Sequence, residues 1–569
     1  MLRTPETSTP LNPDRTEILA ATKPEWIDYR QLPVTPGGYS QLFFDYIYDF
    51  QEVRQFYPHN FRDSHAIESV QKTVAERTLD RTALVRILNR QNKRFGCGEK
   101  AMEHIGLLEK PSTLAVVTGQ QVGLFGGPLY TIYKAITTIR LCERLKTKCP
   151  HMDFVPVFWV EGEDHDFSEM NNVSVINGEG MPVRIEYLHG GVVTDRNLGP
   201  IGELAFDNAL EQTFSALHSA LRPSEFTTEV IARLKECYAP GKTFNEAFVS
   251  WMNFLFADLG LVFITSNDTE IKQILSPLFV REISEFPGTS QLIIAQSAEL
   301  EERYHAQIKP KSVNLFMFHK GGRYLIEPRE HDFSLRGTRH FIQKDELLRI
   351  ARETPEVLSP NVVLRPIAQD ILLPTVAYVA GPSEIAYAAQ LKPVYEHFDV
   401  MQPVTYPRAS GSFVEERLER VLEKYQIDLL RFFEEPDVVT KLVLDQISDI
   451  SVEDLFGKAG VGISDTLNEL KFGIKEIDPT LIGALEGVRL KIEGNLSVLK
   501  EKTIAAQKRR NETAVRQIEK AVSTLLPNGN LQERELNIVY YMNKYGPELV
   551  KWLYSELEIT GFKHQVISL

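Results

Sequence analysis

Thr113-Leu-Ala-Val-Val-Thr-Gly-Gln-Gln-Val-Gly-Leu-Phe-Gly-Gly-Pro-Leu-Tyr-Thr-Ile-Tyr133 is the stretch on which the reading of the fold turns. Its opening, Thr113–Val117, is a short apolar and partly β-branched run, the pattern of a strand buried on both faces of a parallel sheet. Past the glycines the period changes. Leu129, Ile132, Ile136, Ile139 and Leu145 recur at helical spacing through Lys146, and Pro128 suits the first helical position, where no backbone N–H is missed. A second apolar strand, Phe154–Val160, ends in the acidic run Glu161-Gly-Glu-Asp-His-Asp166. Strand, helix and strand at this spacing make a βαβ unit, which requires a parallel sheet.

Outward from this unit the core resumes at Leu259–Thr265 and again at Thr375–Ala380, followed by Gly381-Pro-Ser-Glu384, a helix to about Phe398 and a strand at Gln402–Tyr406. The expected class is α/β, with a Rossmann-like parallel-sheet core drawn from residues 76–167, 241–289 and 361–410. Residues 168–240 and 290–360 read as two connecting insertions, the second holding a hairpin of Val313–Phe318 and Arg323–Ile326 around His319-Lys-Gly-Gly322. Ahead of the core, residues 1–75 begin as an extended leader over 1–30 and continue into an aromatic cluster (Phe43, Phe44, Tyr46, Tyr48, Phe50, Phe56, Tyr57) expected to pack on the core. Ser64–Leu107 is charge-rich, proline-free and helical in pattern.

The tail has another texture. Leu481, Leu485, Val488, Ile492, Leu496, Leu499, Thr503 and Ala506 trace a heptad seam with one stutter, and Val414, Leu418, Val421 and Tyr425 begin a similar one. Residues 411–569 therefore read as a C-terminal α-helical coiled-coil domain, two helices lying antiparallel in an arm suited to homodimerisation. A bundle packing only within the chain satisfies the same pattern.

Composition narrows the function classes. A chain of 569 residues exceeds what one hydrophobic core supports, and 43% apolar with 25% charged residues is ordinary globular usage. A net charge of −14 repels phosphate backbones at long range, so nucleic acid is not an expected partner. The cysteines, Cys97, Cys142, Cys149 and Cys237, form no CxxC, which argues against a disulfide framework and against a zinc site; no metal is expected. Met1–Arg15 has no signal-peptide core, and no stretch approaches the roughly 20 apolar residues of a membrane span, so the cytoplasm is the expected compartment and no membrane partner is expected.

Four constellations carry candidate chemistry. The first is the glycine turn with its flanks: Gln120, Gln121, Gly126, Gly127, Pro128, Tyr130 and Tyr133. A helix start presents unpaired N–H groups and the positive end of the dipole, and glycines let a ligand approach, although a ligand-free βα turn would use the same glycines. The second is Trp159, Glu161, Asp164 and His165 at a strand end, where ligands sit in open α/β sheets. There His165, flanked by carboxylates, is a candidate general base; an acidic loop solvating the strand end is the plainer alternative. The third is Gly381, Pro382, Ser383 and Glu384, with Ser383 as N-cap and Glu384 either meeting a substrate amine or ribose hydroxyl or simply complementing the helix dipole. The fourth is Arg408 after the last core strand, a phosphate contact or part of a domain hinge.

The glycine turn is similar to the class I aminoacyl-tRNA synthetase signature Gly-Pro-Leu-His-Ile-Gly-His, with Tyr130 and Tyr133 where that signature has its ATP-contacting histidines. Val117–Lys134, Val157–Asp166, Val379–Tyr387 and Leu531-Gln-Glu-Arg534 together resemble the bacillithiol-biosynthesis cysteine-adding family, BshC, from about Phe43 to the C-terminus. That resemblance implies a synthetase-like Rossmann core, a coiled-coil homodimer, and the last step of bacillithiol synthesis, in which L-cysteine is joined through an amide to glucosaminyl-malate. It further implies carboxylate activation by ATP, an adenine nucleotide (ATP or ADP) near Gly381–Glu384 and Asn537, and Gly126, Gly127, Tyr130 and Tyr133 on a substrate. Two other classes fit the same cleft: a nucleotidyltransferase-like enzyme on another small substrate, and a non-catalytic dimeric nucleotide-binding scaffold.

Overall fold

Five parallel strands carry the core in the computed structural model: β1 (Thr113–Gln121), β2 (Asp153–Glu161), β3 (Val262–Thr265), β4 (Thr375–Ala380) and β5 (Val404–Pro407). They lie in the order β5-β4-β1-β2-β3, every neighbouring pair parallel. Strand order therefore reverses between β1 and β4, the topological switch point at which doubly wound sheets bind ligands. The strands are apolar on both faces because helices cover both faces; Thr113–Gly119 of β1 is wholly buried. Helix α1 (Leu129–Lys148) makes the crossover from β1 to β2. Its first residue is Leu129, and Pro128 is the N-cap rather than the first helical residue.

The structure describes residues 25–33, 39–193, 196–309, 313–330, 332–448 and 450–569, so residues 1–24 of the expected leader lie outside the described residues. Trp26–Ile27 pairs with the C-terminal strand His564–Ser568. Most of the aromatic cluster is core, with Tyr46 stacked on Phe61 and donating to the Thr405 carbonyl. Edge strand β3 would leave backbone groups unpaired. Helix Arg81–Arg94 supplies them with side-chain amides, Gln91 exchanging bonds with Thr265 and Asn92 with Phe263 at 2.7–3.1 Å.

The first insertion begins with the antiparallel pair Asn172–Ile176 and Pro182–Glu186. The second forms a five-stranded antiparallel sheet whose hairpin, Leu315–His319 with Gly322–Pro328, turns at Lys320-Gly321. The chain separates into two units. Trp26–Ser412 together with Asn530–Ile567 forms the unit just described, so the last forty or so residues, including Leu531–Asn537, pack with the Rossmann-like core.

The other unit contains Phe413–Gly529. Helix Ile482–Arg510 lies antiparallel to Val452–Ile477, with Lys471 on Glu486, Asn468 on Arg489 and Lys500 on Glu453. The heptad seam thus pairs with a different helix from the one expected. Glu416–Tyr425, where the second seam begins, instead meets Glu512–Leu525, with the Tyr425 hydroxyl donating to Gln517. No helix of the described residues is long and apolar enough to cross a membrane.

Candidate active site

The carboxyl ends of β1, β2 and β4 open into a cleft of about 820 Å³. In-register pairing of β1 and β2 sets Gln121 opposite Glu161. From there the Gln121 amide donates to Asp164 Oδ2 at 2.7 Å and to Glu169 Oε2 at 2.8 Å, tying the segment after β1 to the acidic loop after β2. Asp164 Oδ1 accepts the His165 backbone N–H at 2.7 Å and lies 3.4 Å from His165 Nδ1. Burial alone would raise the Asp164 carboxyl. The His165 hydrogen bond, the Arg323 charge and the Gln121 amide outweigh burial and hold it well below the usual carboxylate range.

The His165 ring is half-exposed to the cleft, beside Phe316. Arg323 comes from the hairpin of the second insertion. Its guanidinium stacks 3.9 Å from the Phe316 ring centroid, donates to Ser359 Oγ and the Pro360 carbonyl at 3.1 Å, and reaches 3.5 Å from both Asp164 Oδ1 and His165 Nδ1. Glu161 accepts the Trp159 indole N–H at 3.1 Å, and its carboxyl is raised by burial against the opposing charge of Arg365. Under the loop, buried Glu163 pairs with Lys272 of helix α2 (Thr269–Ser284) at 2.8 Å, and Lys272 also donates to the Leu358 carbonyl. An acid that the run alone would place in solvent is therefore a buried anchor for the loop that carries His165.

On the β4 side, helix α3 (Pro382–Ala388) has Gly381 as N-cap. Pro382, with its fixed φ, takes the first helical position, and Ser383 is inside the helix rather than capping it. Glu384 is fully engaged: Oε1 accepts Tyr378 Oη at 2.7 Å, and Oε2 accepts the Gly381 N–H at 2.7 Å and pairs with Lys134 Nζ at 2.5 Å. Lys134, buried on α1, also donates to the Gly119 carbonyl and Gln120 Oε1. Burial lowers its ammonium against the pull of Glu384. Arg408 lines the cleft, but its charge is matched by buried Glu533 at 2.7 Å and its Nη1 serves the Ala409 carbonyl. Tyr130 Oη is 3.4 Å from the Gln120 amide.

Gln120, Gln121, Tyr130, Trp159, Glu161, Asp164, His165, Gly381, Pro382, Ser383, Glu384 and Arg408 thus share one cleft. Tyr133 and Gly126 do not. Tyr133 is fully buried and its hydroxyl donates to the Gly411 carbonyl. The Gly126 N–H goes to Tyr238 Oη at 3.1 Å, the Gly127 N–H to the Leu124 carbonyl at 2.9 Å and the Leu129 N–H to the Leu536 carbonyl at 2.9 Å. A phosphate cradle needs those donors free, so the glycine turn does not fit one; its glycines serve a backbone reversal through Phe125, Gly126 and Gly127 at φ of 49°, 89° and 72°. Asn537 is equally committed. Its amide donates to the Phe125 and Gly127 carbonyls and its Oδ1 caps the next helix, so it clamps the turn from outside. Gly127, Pro128 and Asn537 line a smaller pocket of about 100 Å³ that shares Gln120, Gln121, Tyr130 and Arg534 with the cleft.

Reading the residues alone missed Lys134, Arg323, Arg365 and Arg534. Lys134 had a signal, a lysine on the apolar face of α1 four residues after Tyr130. Arg323 and Arg365 had none: the hairpin of the second insertion brings Arg323 to the cleft, and the helix Leu364–Leu372 ahead of β4 brings Arg365. Two family models match: the BshC N-terminal Rossmann-like domain over residues 27–409 and the BshC C-terminal coiled-coil domain over 412–569, both described as bacillithiol biosynthesis. The chain belongs to the BshC family. A BshC protein of Salinibacter ruber, provisionally named a cysteine ligase, is 40% identical over 95% of this chain and 98% of its own. Its Chloroherpeton thalassium counterpart, of the same name, is 38% identical over 94% and 98%. A solved structure provisionally described as an arginyl-tRNA synthetase from Campylobacter jejuni covers 81% of this chain and 99% of its own at 12% identity, but with a TM-score of 0.21 it bears on neither fold nor function.

Proposed function

We propose that this BshC protein joins L-cysteine to the glucosamine amine of glucosaminyl-malate, completing bacillithiol. The observation that carries the reading is His165, open to the cleft and held beside an ionised Asp164 at the strand ends of the switch point. Attack by an amine on an activated carboxyl needs a base to remove the ammonium proton, and a histidine oriented by a carboxylate is suited to that transfer. The new C–N bond forms as the bond from the cysteine carbonyl to its activating group breaks, and the amine proton passes to His165. The cationic lining from Arg323 and Arg365, neither closer than 3.5 Å to its carboxylate partner, suits a substrate with two malate carboxylates.

Activation of a free carboxylate calls for ATP on chemical grounds, giving an adenylate or an acyl phosphate. Of the residues first read as its binding groups, Glu384 and Asn537 are committed within the protein, and the Gly126, Gly127 and Leu129 N–H groups of the glycine turn, read as a substrate contact, also have internal partners. No residue of this chain is therefore assigned to the nucleotide. Two copies associate through the coiled-coil unit, which exposes Phe472 and Leu490. The test is product formation: incubation with both substrates and ATP yields bacillithiol together with AMP or ADP, and omission of either substrate abolishes nucleotide release. Nucleotide hydrolysis indifferent to cysteine would overturn the reading in favour of a different nucleotide-using enzyme.

A further inference from the structure

The segment Leu531-Gln-Glu-Arg534 stood out in the sequence, yet the chemistry above gives Arg534 no specific task. Its surroundings are rigid. Glu533 is locked on Arg408, Asn537 clamps the glycine turn, and Glu535 accepts the Ser174 hydroxyl at 3.0 Å. Arg534 differs. Among the described residues its guanidinium makes no hydrogen bond or ion pair, while Lys134, Arg323, Arg365 and Arg408 are each matched by a carboxylate. It lines both the main cleft and the smaller pocket, so an uncommitted cation stands at their junction.

That smaller pocket, about 100 Å³, is far below the roughly 300–1,000 Å³ of sites that take drug-sized ligands. Its size is that of an amino acid. Its charges have both signs. Glu169, an exposed residue, lines the same pocket; it accepts the Gln121 amide through Oε2 and leaves Oε1 without a partner among the described residues. A free guanidinium and a carboxylate in a small polar pocket match the two charges of an α-amino acid zwitterion.

We infer that this pocket is the L-cysteine subsite, Arg534 holding the α-carboxylate at the junction and Glu169 the ammonium group within. The assignment rests on the ligase reading and deepens it. The carboxyl to be activated then faces the cleft, where the glucosamine amine and His165 are. Arg534 is a binding residue here, since proton transfer lies with His165.

Calorimetric titration of the full-length protein tests this with L-cysteine, cysteamine (no carboxylate), 3-mercaptopropionate (no ammonium) and glucosaminyl-malate as probes. Arg534→Gln should weaken L-cysteine by about tenfold or more, as loss of a charge-assisted pair does, and leave glucosaminyl-malate unchanged. Glu169→Gln should weaken L-cysteine and leave 3-mercaptopropionate unchanged, which decides the matter even if the arginine variant fails to fold. Cysteamine should bind the wild type more weakly than L-cysteine does. Unchanged L-cysteine affinity in both variants, or equal loss of both substrates, would overturn the subsite. Wild-type protein that binds glucosaminyl-malate but not L-cysteine would overturn the subsite alone; binding neither would remove the ligase reading and the subsite with it.

Discussion

His165 makes few contacts of its own, and that makes it a clean residue to remove. Its ring is half-exposed and its nearest side-chain polar neighbours, Asp164 and Arg323, are at 3.4 and 3.5 Å. His165→Ala should therefore keep the melting temperature while lowering ligation by about 10²–10⁴-fold, the usual worth of a general base; wild-type turnover would remove the role. His564 is the contrasting histidine. It is buried between Ser410 and Ser412 at 2.7 and 2.9 Å, and burial pulls its pKa from 6.5 to about 4. The unfolded chain then binds this proton first as pH falls, so the contribution of His564 to stability is complete above pH 6.5 and is lost between 6.5 and 4, by about 3 kcal/mol at most. Denaturant titrations should show stability falling across that window, and His564→Gln should flatten the slope; an unchanged slope would contradict the assignment. At this scale the sequence was informative where chemistry is written in adjacent residues, as in Asp164-His165, and uninformative where the partner is remote. Nothing local says that Glu163 meets Lys272, that Glu384 meets Lys134, or that Arg408 meets Glu533.

The glycine turn shows how an element can be placed correctly while its free N–H donors are miscounted. The change of period from β1 to α1 was plain because apolar runs of two periods meet there. Which N–H groups remain free depends on Tyr238 and Leu536, more than a hundred and about four hundred residues away. Gly126 is required on two counts: φ is +89°, and a Cβ would lie 2.9 Å from Trp251 Cδ1. Gly126→Ala should cost about 1–3 kcal/mol, as left-handed strain does, whereas Gly473→Ala in the exposed helix Val452–Ile477 meets nothing within 4 Å and should gain about 0.5–1 kcal/mol. Equal effects in thermal unfolding would contradict the difference. Helix Val452–Ile477 itself was missed because Gly457, Gly460, Gly462 and Gly473 dilute its apolar pattern, which is why the seam of Ile482–Arg510 was assigned another partner.

For the whole molecule, composition and periodicity gave the α/β class and the helical tail, while the return of Asn530–Ile567 to the Rossmann-like unit had no local mark. Leu485 is buried within its unit, but Phe472 and Leu490 are 79% and 68% exposed, apolar surface of the kind that marks an interface. Phe472→Glu with Leu490→Glu should convert a sedimenting dimer to monomer without unfolding it; an unchanged profile would place the interface elsewhere. The most direct measurement of the central claim is a reaction of purified wild-type protein with L-cysteine, glucosaminyl-malate and ATP, followed by mass spectrometry of the thiol product and the nucleotide. The account predicts the cysteinyl amide in step with AMP or ADP, with neither formed when one substrate is withheld. Nucleotide turnover without amide, or no turnover while both substrates bind, would contradict it.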